Sequence, residues 1–294
     1  MEFFKAHGTA NDFVVFPDLD DELDLTPELV RALCDRRRGI GGDGVLRITA
    51  DADGAAVFMD YRNRDGAVAE MCGNGIRVVG KHVADHGLVD IDGDQLVVGT
   101  RTGPKQLTLH RGDDGLVDTV TVDMGPPSFD PADVPFDADD PEAGTHEVEV
   151  DGEPVEMSVV SMGNPHAVLL VDDVAAAPVT TLGPRLETDG RFPKRTNVEF
   201  AQVVDDRRVA LRVWERGVGE TAACGTGACA TVAALHRLGR VTEEVEVEVP
   251  GGTLEIAWSG DGGVRMTGPA VEVARGELTS AWFRSVGLGA GGSR

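Results

Sequence analysis

Two cysteines stand in matching contexts, 152 residues apart in the chain. Cys72 opens a Cys-Gly-Asn-Gly segment, Cys224 opens a Cys-Gly-Thr-Gly segment, and an apolar, helix-compatible run follows each. A thiol at the first turn of a helix lies at the positive end of the helix dipole, which lowers its pKa from about 8.5 toward neutrality. Each cysteine could therefore act as a base, and the glycine after it lets backbone N–H groups approach a carboxylate closely.

Two acid–base groups that face a small site from opposite sides suit the inversion of a stereocentre that carries hydrogen. A thiolate removes a proton from one face while a thiol delivers a proton to the other, and the roles exchange with the direction of reaction. Such a pair is expected to titrate together and to hold one proton between its members. Because the proton is α to a carboxylate, N–H donors and exclusion of water must stabilise the developing charge.

The cysteine motifs belong to a longer internal repeat. In each copy a strand-like run leads to a polar pair that ends in arginine, and an asparagine lies about sixty residues before the cysteine. The polar residue nine before the cysteine and the distant asparagine are Asn63 and Asn11 in the first copy, and Glu215 and Asn164 in the second. We therefore predict two pseudo-symmetric halves with the active site between them. Residues 1–118 would form the first half, 119–268 the second, and 269–294 would return to the first.

Elements that could position these residues are visible in the pattern of apolar runs. Short strands are expected between Gly, Pro and Asp residues at Leu107–Leu109, Val117–Val122, Val155–Val160, Val198–Val204, Val245–Val249, Leu254–Trp258, Val264–Met266 and Val271–Trp282. Residues 126–144, acidic and Pro-rich, predict a long surface excursion, and residues 287–294 are expected to fray.

One helix beyond those that follow the cysteines is well marked. Thr26 is expected to cap it, Pro27 to occupy its first turn and Gly39 to end it. Its apolar stripe consists of Leu29, Val30, Leu33 and Cys34.

Composition excludes some classes of function. The chain has 294 residues and a formal net charge of −24, from 51 Asp+Glu against 27 Lys+Arg. It would repel nucleic acid, because neutralising phosphates needs a basic face. Only 4 of the 27 basic residues are lysine, and Asp outnumbers Glu 31 to 20. This composition is typical of adaptation to concentrated salt, where screening removes the self-repulsion.

No stretch approaches the roughly 18 consecutive apolar residues that span a bilayer, and the first residues do not resemble a signal peptide. We therefore expect a cytoplasmic protein without a membrane partner. The four cysteines are too few for a disulfide framework and lack the paired spacings of a zinc site. We assign no metal, and the acidic run 137–140 is expected to be solvated.

Six segments, in order along the chain, resemble the diaminopimelate epimerase family: His7–Phe13, Gly39–Gly44, Met71–Arg77, Gly163–His166, Thr196–Phe200 and Trp214–Gly227. The resemblance implies an isomerase without pyridoxal phosphate or another cofactor, which interconverts LL- and meso-diaminopimelate in lysine biosynthesis and forms a homodimer. It also implies an α/β fold in which each half is an antiparallel, barrel-like sheet around a central helix.

The resemblance further implies roles for individual residues. Cys72 and Cys224 would be the acid/base pair, and His166 and Glu215 would tune their pKa values. The small-molecule amino-acid substrate would be held by Asn11, Asn63, Asn164, Asn197, Glu215 and Arg216, with the backbone of Gly73, Asn74, Gly225 and Thr226 on the reacting carboxylate. Family members often carry Gln where this chain has Gly44, so one side-chain contact is expected to be absent or replaced there.

Alternatives remain for the function of the protein and for the roles of single residues. A proline-type racemase or epimerase, or a noncatalytic amino-acid-binding module with a redox cysteine pair, would also use two thiols; relatives of the first type typically show Cys-Gly-His-Gly, whereas this chain has Asn74. Cys34 and Cys229 are expected to be core residues. His166 could be a turn residue, and Glu215 with Arg216 could be a surface ion pair. The Gly39–Gly44 segment lacks the Lys and Ser/Thr of a phosphate loop.

Overall fold

The computed structural model describes residues 1–51 and 53–288. In these ranges the strands are β1 (Glu2–Gly8), β2 (Asn11–Pro17), β3 (Gly44–Thr49), β4 (Val57–Asn63), β5 (Gln95–Gly99), β6 (Lys105–Arg111), β7 (Val117–Asp123), β8 (His146–Val150), β9 (Glu153–Ser161), β10 (Pro165–Leu170), β11 (Asn197–Asp205), β12 (Arg208–Glu215), β13 (Gly219–Thr221), β14 (Glu244–Val249), β15 (Gly252–Ala257), β16 (Arg265–Pro269) and β17 (Val271–Glu277). The helices are α1 (Pro27–Cys34), α2 (Gly73–Asp85), α3 (Val179–Glu187), α4 (Gly225–Arg237) and α5 (Ser280–Ser285).

The chain forms two compact units. Unit 1 comprises Met1–Val122 and Gly268–Arg294, and unit 2 comprises Asp123–Thr267. The first division therefore falls four residues after the sequence-based boundary near 118.

Unit 1 contains a mixed sheet. Its neighbouring strands pair in the order β17, β1, β2, β3, β4, β5, β6, β7. The pairs β2–β3 and β4–β5 are parallel, and the others are antiparallel. Helix α2 packs against β1 to β6 and against β17, so it is the central helix of this unit.

Unit 2 repeats this plan. Its strands pair in the order β8, β9, β10, β11, β12, β14, β15, β16. The parallel pairs, β10–β11 and β12–β14, stand at the same two places in the order as in unit 1. Helix α4 packs against β9, β10, β11 and β15. The expected α/β fold is confirmed, and each sheet combines mostly antiparallel pairs with two parallel ones.

Helix α1 forms as its sequence predicts. Thr26 Oγ1 accepts a hydrogen bond from Leu29 N at 3.2 Å, and Pro27 occupies the first helical turn. The apolar stripe is buried in the core of unit 1. Cys34, 6% exposed, is part of that stripe, as expected, and burial raises the pKa of its thiol to about 12.

Two helices and one segment differ from the sequence-based expectations. Helix α3 contains Gly183 and Pro184, which disfavour a helix, so the sequence does not predict it. A Cβ on Gly183 would lie 2.7 Å from the Trp214 side chain. Close packing against Trp214 therefore determines this helix, and helix propensity does not. The last strand ends at Glu277 instead of Trp282, since Thr279 caps α5 and accepts from Trp282 N.

The acidic segment 126–144 is not only a surface excursion. Val134 is fully buried and Phe136 is 6% exposed, and both belong to the core of unit 2. The Phe136 ring lies 4.8 Å from the Phe192 ring between centroids. This segment therefore contributes to the core despite its polar composition. Of the residues expected to fray, 289–294 lie outside the described residues.

Within the described ranges, every helix is too short or too polar to cross a membrane.

Candidate active site

Cys72 is the N-cap residue of α2. Its backbone is extended, with φ −142° and ψ 116°, and its Sγ accepts a hydrogen bond from Gly75 N at 3.3 Å. When protonated, the thiol also donates to Asn11 Oδ1 at 3.7 Å. The sulfur is thus at the positive end of the helix, with a backbone N–H donor that favours negative charge on it.

Asn11 is placed by the tight turn between β1 and β2. Thr9 and Ala10, the two central residues of this turn, have φ of 50° and 60°. Positive φ at both central positions matches a type I′ hairpin turn. Neither residue is glycine, so the turn is strained by about 1–2 kcal/mol per residue. The surrounding contacts must therefore stabilise this conformation.

Arg77 supplies several of those contacts. Its side chain is fully buried, and its Nη2 donates to Thr9 Oγ1 at 2.5 Å and to Asn74 Oδ1 at 2.8 Å. Its Nη1 donates to the carbonyl of Gly73 at 3.1 Å, and its Nε to that of Pro269 at 3.3 Å. One guanidinium therefore joins the strained turn to the first turn of α2.

The loop between α1 and β3 orients Asn11 from its other side. Asp43 Oδ2 accepts from Asn11 Nδ2 at 2.9 Å, and Asp43 Oδ1 accepts from Arg36 Nη2 at 2.8 Å. Asp12 contacts Lys5 and Arg36. Burial raises the pKa of Asp12, but hydrogen bonds and charges of Arg36 and Lys5 outweigh burial and hold it well below its usual range. This loop therefore fixes the side chain of Asn11.

Gly44 leaves no room for a larger side chain. A Cβ there would lie 2.5 Å from the Arg62 carbonyl oxygen and 2.6 Å from the Tyr61 ring. Gly44 pairs with Asn63 across β3 and β4. The Tyr61 ring therefore fills the space beside Gly44.

Cys224 is the N-cap residue of α4, with φ −119° and ψ 112°. It is 6% exposed, and its Sγ lies 3.5 Å from Thr226 Oγ1. Burial raises the pKa of this thiol well above its ordinary value, and the nearby Glu215 and Glu199 carboxyls raise it further. Hydrogen bonds from Thr226 and the Gly227 backbone oppose these effects without cancelling them. Cys224 is therefore protonated at neutral pH.

A chain of hydrogen bonds connects Cys224 to a buried acid. Thr226 Oγ1 accepts from Asn164 Nδ2 at 3.3 Å, and Asn164 Oδ1 lies 3.0 Å from His166 Nε2. His166 Nδ1 lies 2.7 Å from Glu199 Oε1, and both side chains are fully buried. Because both ring nitrogens of His166 face oxygen atoms, this residue is part of a polar network rather than a simple turn residue.

Glu199 is confined in its pocket. Burial raises its pKa, while His166 acts in the opposite direction. A Cβ on Gly227 would lie 2.7 Å from Glu199 Oε1, so glycine is needed for the carboxyl to reach the first turn of α4. The other oxygen, Oε2, has no hydrogen-bond partner among the described residues.

Glu215 and Arg216 extend in different directions rather than forming the surface ion pair considered above. Glu215 accepts a hydrogen bond from Thr221 Oγ1, and desolvation raises the pKa of the Glu215 carboxyl. Arg216 is exposed, and its Nη1 donates to the carbonyl of Lys194 at 3.2 Å. Asn197 Oδ1 accepts from Arg216 N at 2.9 Å, so this asparagine fixes the backbone of Arg216.

Within unit 1 the structure brings Asn11, Cys72 and Asn74 together and leaves Asn63 at the end of β4. Within unit 2 it brings together Asn164, His166, Glu215, Cys224 and Thr226. Gly73 and Gly225 are the first residues of α2 and α4. Cys229 is fully buried, as expected for a core residue.

Sequence reasoning did not assign roles to Arg77, Asp43, Glu199 and Glu187. Asp43, Arg77 and Glu199 lie inside the six segments that resemble the family, and that position was the available signal. Glu187 accepts from Trp214 Nε1 at 2.7 Å and from Gly217 N at 2.9 Å, which fixes the turn that carries Glu215. It lies on α3, the helix that the sequence did not predict.

One strand order used twice, with a cysteine at the start of each central helix, defines a class of duplicated α/β proteins. A solved structure of similar fold is the probable proline racemase from Agrobacterium radiobacter K84 with bound carbonate. It superposes with a TM-score of 0.68 and 16% sequence identity, and the match covers 95% of this chain and 92% of that chain.

Within that class, the chain belongs to the diaminopimelate epimerase family, whose model matches residues 3–129 and 158–273. Diaminopimelate epimerase of Alkalilimnicola ehrlichii is 47% identical over 284 residues, which cover 95% of this chain and 98% of that protein. Diaminopimelate epimerase of Laribacter hongkongensis is 48% identical over 284 residues, covering 95% and 99%. The resemblance found in the sequence is confirmed.

Proposed function

We propose that this protein is a cofactor-independent isomerase that interconverts LL- and meso-diaminopimelate in lysine biosynthesis. The observation that carries the proposal is the pair of N-capping cysteines at equivalent positions of two repeated units, in a chain that belongs to the diaminopimelate epimerase family. Two thiols in equivalent positions are suited to act on opposite faces of one carbon.

In the proposed reaction, one thiolate removes the proton from Cα and becomes a thiol. The electron pair of the broken C–H bond spreads into the adjacent carboxylate, and the other thiol then delivers its proton to the opposite face. Cys224 holds a proton at neutral pH because of its raised pKa. We therefore propose that Cys224 delivers the proton and Cys72 removes one in one direction of the reaction, and that the two roles exchange in the other direction.

The starts of the two central helices would stabilise the reacting carboxylate. Gly73 and Asn74 begin α2, and Gly225 and Thr226 begin α4, so their N–H groups lie at the positive helix ends. Substrate contacts are proposed for the side chains of Asn11, Asn63, Asn164, Asn197, Glu215 and Arg216. Glu215 suits an ammonium group and Arg216 a carboxylate.

His166 and Glu215 are proposed to tune the thiols. Glu215 raises the pKa of Cys224 by its charge. His166 reaches the same thiol only through Asn164 and Thr226, and it lowers the pKa of Glu215. His166 would therefore act as a positioning residue.

The test is conversion of LL-diaminopimelate in heavy water. Each turnover should place deuterium at the inverted carbon, and Cys72→Ala and Cys224→Ala should each lower epimerisation by at least about a hundredfold, the lower range of general acid–base catalysis. Cys34→Ala is the matched control and should retain activity. Full activity in either active-site variant would contradict the two-base assignment.

The same assay separates the alternatives. Inversion of proline but not of diaminopimelate would favour a proline-type racemase. Binding of diaminopimelate without hydrogen exchange at Cα would favour a noncatalytic module whose cysteines respond to oxidants.

We also propose that the enzyme is a cytoplasmic homodimer adapted to concentrated salt. The net charge of −24 supports the last point, since screening of self-repulsion would stabilise the compact state. Light scattering tests the dimer. Thermal unfolding at about 0.1 and 1 M KCl tests the adaptation, and an unchanged melting temperature would contradict it.

A further inference from the structure

A cluster of three side chains in unit 1 has no role in the proposed reaction. His82 and His86 lie one turn apart at the end of α2, and Glu272 lies on β17. Glu272 Oε2 is 3.3 Å from His82 Nδ1 and 2.8 Å from His86 Nε2. One ring nitrogen of each histidine and one oxygen of Glu272 lie within 4.8 Å of one another.

The surrounding elements hold this cluster in place. The Phe4 ring lies 4.4 Å from the His82 ring and 4.9 Å from the His86 ring between centroids. His82 is 3% exposed, and its Nε2 has no hydrogen-bond partner within the described ranges. The register of β17 against β1 shifts opposite Glu272, at the step between Lys5 and Ala6. Such an irregularity re-aims a side chain, here toward the helix.

The position of the cluster favours a cation. His86 is the C-cap residue of α2, so both histidines lie at the negative end of the helix dipole. The carboxylate of Glu272 adds a negative charge. Neutral imidazole nitrogens on successive turns, with one carboxylate oxygen, are a ligand set that first-row transition metals accept.

We propose that His82, His86 and Glu272 bind one divalent transition-metal ion, with Zn²⁺ the best fit to two nitrogens and one oxygen. Donor atoms around a tetrahedral Zn²⁺ ion lie about 3.3 Å apart, given bond lengths of about 2.0–2.1 Å. The distance from Glu272 Oε2 to His82 Nδ1 equals that value, whereas the 2.8 Å to His86 Nε2 is a hydrogen-bond length that would lengthen when the ion replaces the proton. His86 and Glu272 side chains are 30% and 28% exposed, so the ion can enter from solvent and keep water at its open position. The ion would join the end of α2 to β17 and so stabilise unit 1.

Cysteine spacing, on which the absence of a metal was predicted, does not bear on this cluster. Its third ligand lies 186 residues after His86, and the two histidines alone are only a His-x-x-x-His spacing on a helix. The inference does not depend on the proposed reaction. It places the ion at the opposite end of α2 from Cys72, so epimerase activity is not its readout.

The test is titration of the full chain with Zn²⁺ by calorimetry in about 1 M KCl, where a Debye length of about 3 Å suppresses nonspecific attraction to the acidic surface. All proteins carry Cys72→Ser, so that this thiol does not compete for the ion. The variants are His86→Ala and Glu272→Gln, whose partly exposed side chains leave the core intact. The matched control is His110→Ala, which removes an exposed histidine of β6.

One Zn²⁺ per chain should bind to the Cys72→Ser protein and to the His110→Ala control. Affinity should fall more than about tenfold in both cluster variants, since even groups that only support metal ligands are worth about 10–100-fold. Zn²⁺ should raise the melting temperature of the control but not of the cluster variants, and Mg²⁺, which prefers oxygen ligands, should not replace it. Equal affinity in all four proteins, or no binding at millimolar Zn²⁺, would overturn the proposal.

Discussion

The first turns of α2 and α4 share a backbone plan but have opposite electrostatic surroundings. Each begins with an extended cysteine followed by glycine. At the first turn of α2 the guanidinium of Arg77 is buried against the Gly73 carbonyl, whereas the position 152 residues later holds Cys229. Near Cys224 the buried ionisable groups are Glu199, Glu215 and His166, and the two carboxyls add to the effect of burial in raising the pKa of the thiol. The repeat preserves the fold and varies the charge around the two thiols.

This difference has a chemical consequence for a pair of acid–base groups. In the proposed reaction, two thiols with identical surroundings would be equally good acids. Burial and the carboxyl groups beside Cys224 raise its pKa and so favour its protonated form. Variants that remove these charged groups therefore test whether the first turns of α2 and α4 differ in their electrostatic surroundings.

The largest expected effect comes from Arg77→Leu. This change removes a buried donor from the carbonyls of Gly73 and Pro269 and from Thr9 Oγ1. We expect a loss of about 3–5 kcal/mol in the free energy of unfolding, because buried acceptors lose their partner. Cys229→Ala, at the equivalent position of α4, should cost only about 1–2 kcal/mol. Urea denaturation measures the free energy of unfolding of both variants. Equal losses would contradict a structural difference between these two equivalent positions.

Replacing a glycine by alanine in the first turn of each central helix should lower the free energy of unfolding by less than Arg77→Leu does, and by different amounts in the two helices. In Gly227→Ala the new Cβ would lie 2.7 Å from Glu199 Oε1, which the contact with His166 holds in place. In Gly75→Ala the nearest atom outside the helix, Leu46 Cδ2, lies at 3.1 Å and can shift. We expect a cost of about 1–3 kcal/mol for Gly227→Ala and less for Gly75→Ala. A larger cost for Gly75→Ala in thermal unfolding would show that Glu199 is not confined.

Glu215→Gln should make Cys224 more reactive. Burial is the largest cause of its raised pKa, so the pKa of the thiol should remain above its ordinary value, but loss of the Glu215 charge should lower it. A lower pKa gives a larger fraction of thiolate at each pH, and the thiolate is the form that reacts. Alkylation by iodoacetamide, followed residue by residue with mass spectrometry from pH 6 to 10, measures this change.

Glu220→Gln is the matched control for that experiment, because its carboxylate pairs with Arg212 instead. It should leave alkylation of Cys224 unchanged. If Glu220→Gln and Glu215→Gln act alike, the effect is not specific to the carboxyl that accepts from Thr221.

The smallest expected effect is a difference in acid sensitivity between the units. In unit 1 burial raises the pKa of Asp60, but hydrogen bonds from Arg62 and Arg101 outweigh it and lower the pKa below its unfolded value. Its contribution to stability is therefore present above about pH 4 and is lost as the pH falls further. In unit 2 the pKa values of Glu199 and Glu215 are raised, so their contribution is present at low pH and is lost as the pH rises through the folded values.

Hydrogen exchange at pH 3 and pH 6 can measure this difference. Strand β4, which carries Asp60, should lose protection at pH 3, while β11 and β12 should not. Asp60→Asn should remove the acid-dependent part of the loss in β4. Uniform loss over both units would contradict the opposite signs.

Local patterns predicted the parts of the fold that depend on neighbours in sequence. Helix α1 has its cap, its proline and its apolar stripe within nine residues, and the repeated cysteine motif predicted both central helices. Helix α3 could not be predicted in this way because Gly183 is needed only where Trp214, thirty-one residues later, packs against it.

The candidate site was predictable to the same extent. Its thiols, amides and His166 lie in short segments whose residue types indicate chemistry. Arg77 and Glu199 act through contacts with partners 68 and 33 residues away in sequence, respectively. Such contacts depend on tertiary packing, which no local pattern specifies.

The pairing of β17 with β1 has a consequence for how a growing chain can fold. Glu2 lies opposite Glu277 and His7 opposite Val271. Strand β1 therefore cannot pair with β17 until the whole of unit 2 has been synthesised between them. Residues 123–267 are contiguous and can complete their sheet as they leave the ribosome. We therefore expect unit 2 to mature before unit 1, the reverse of the usual vectorial order in which the N-terminal domain folds first.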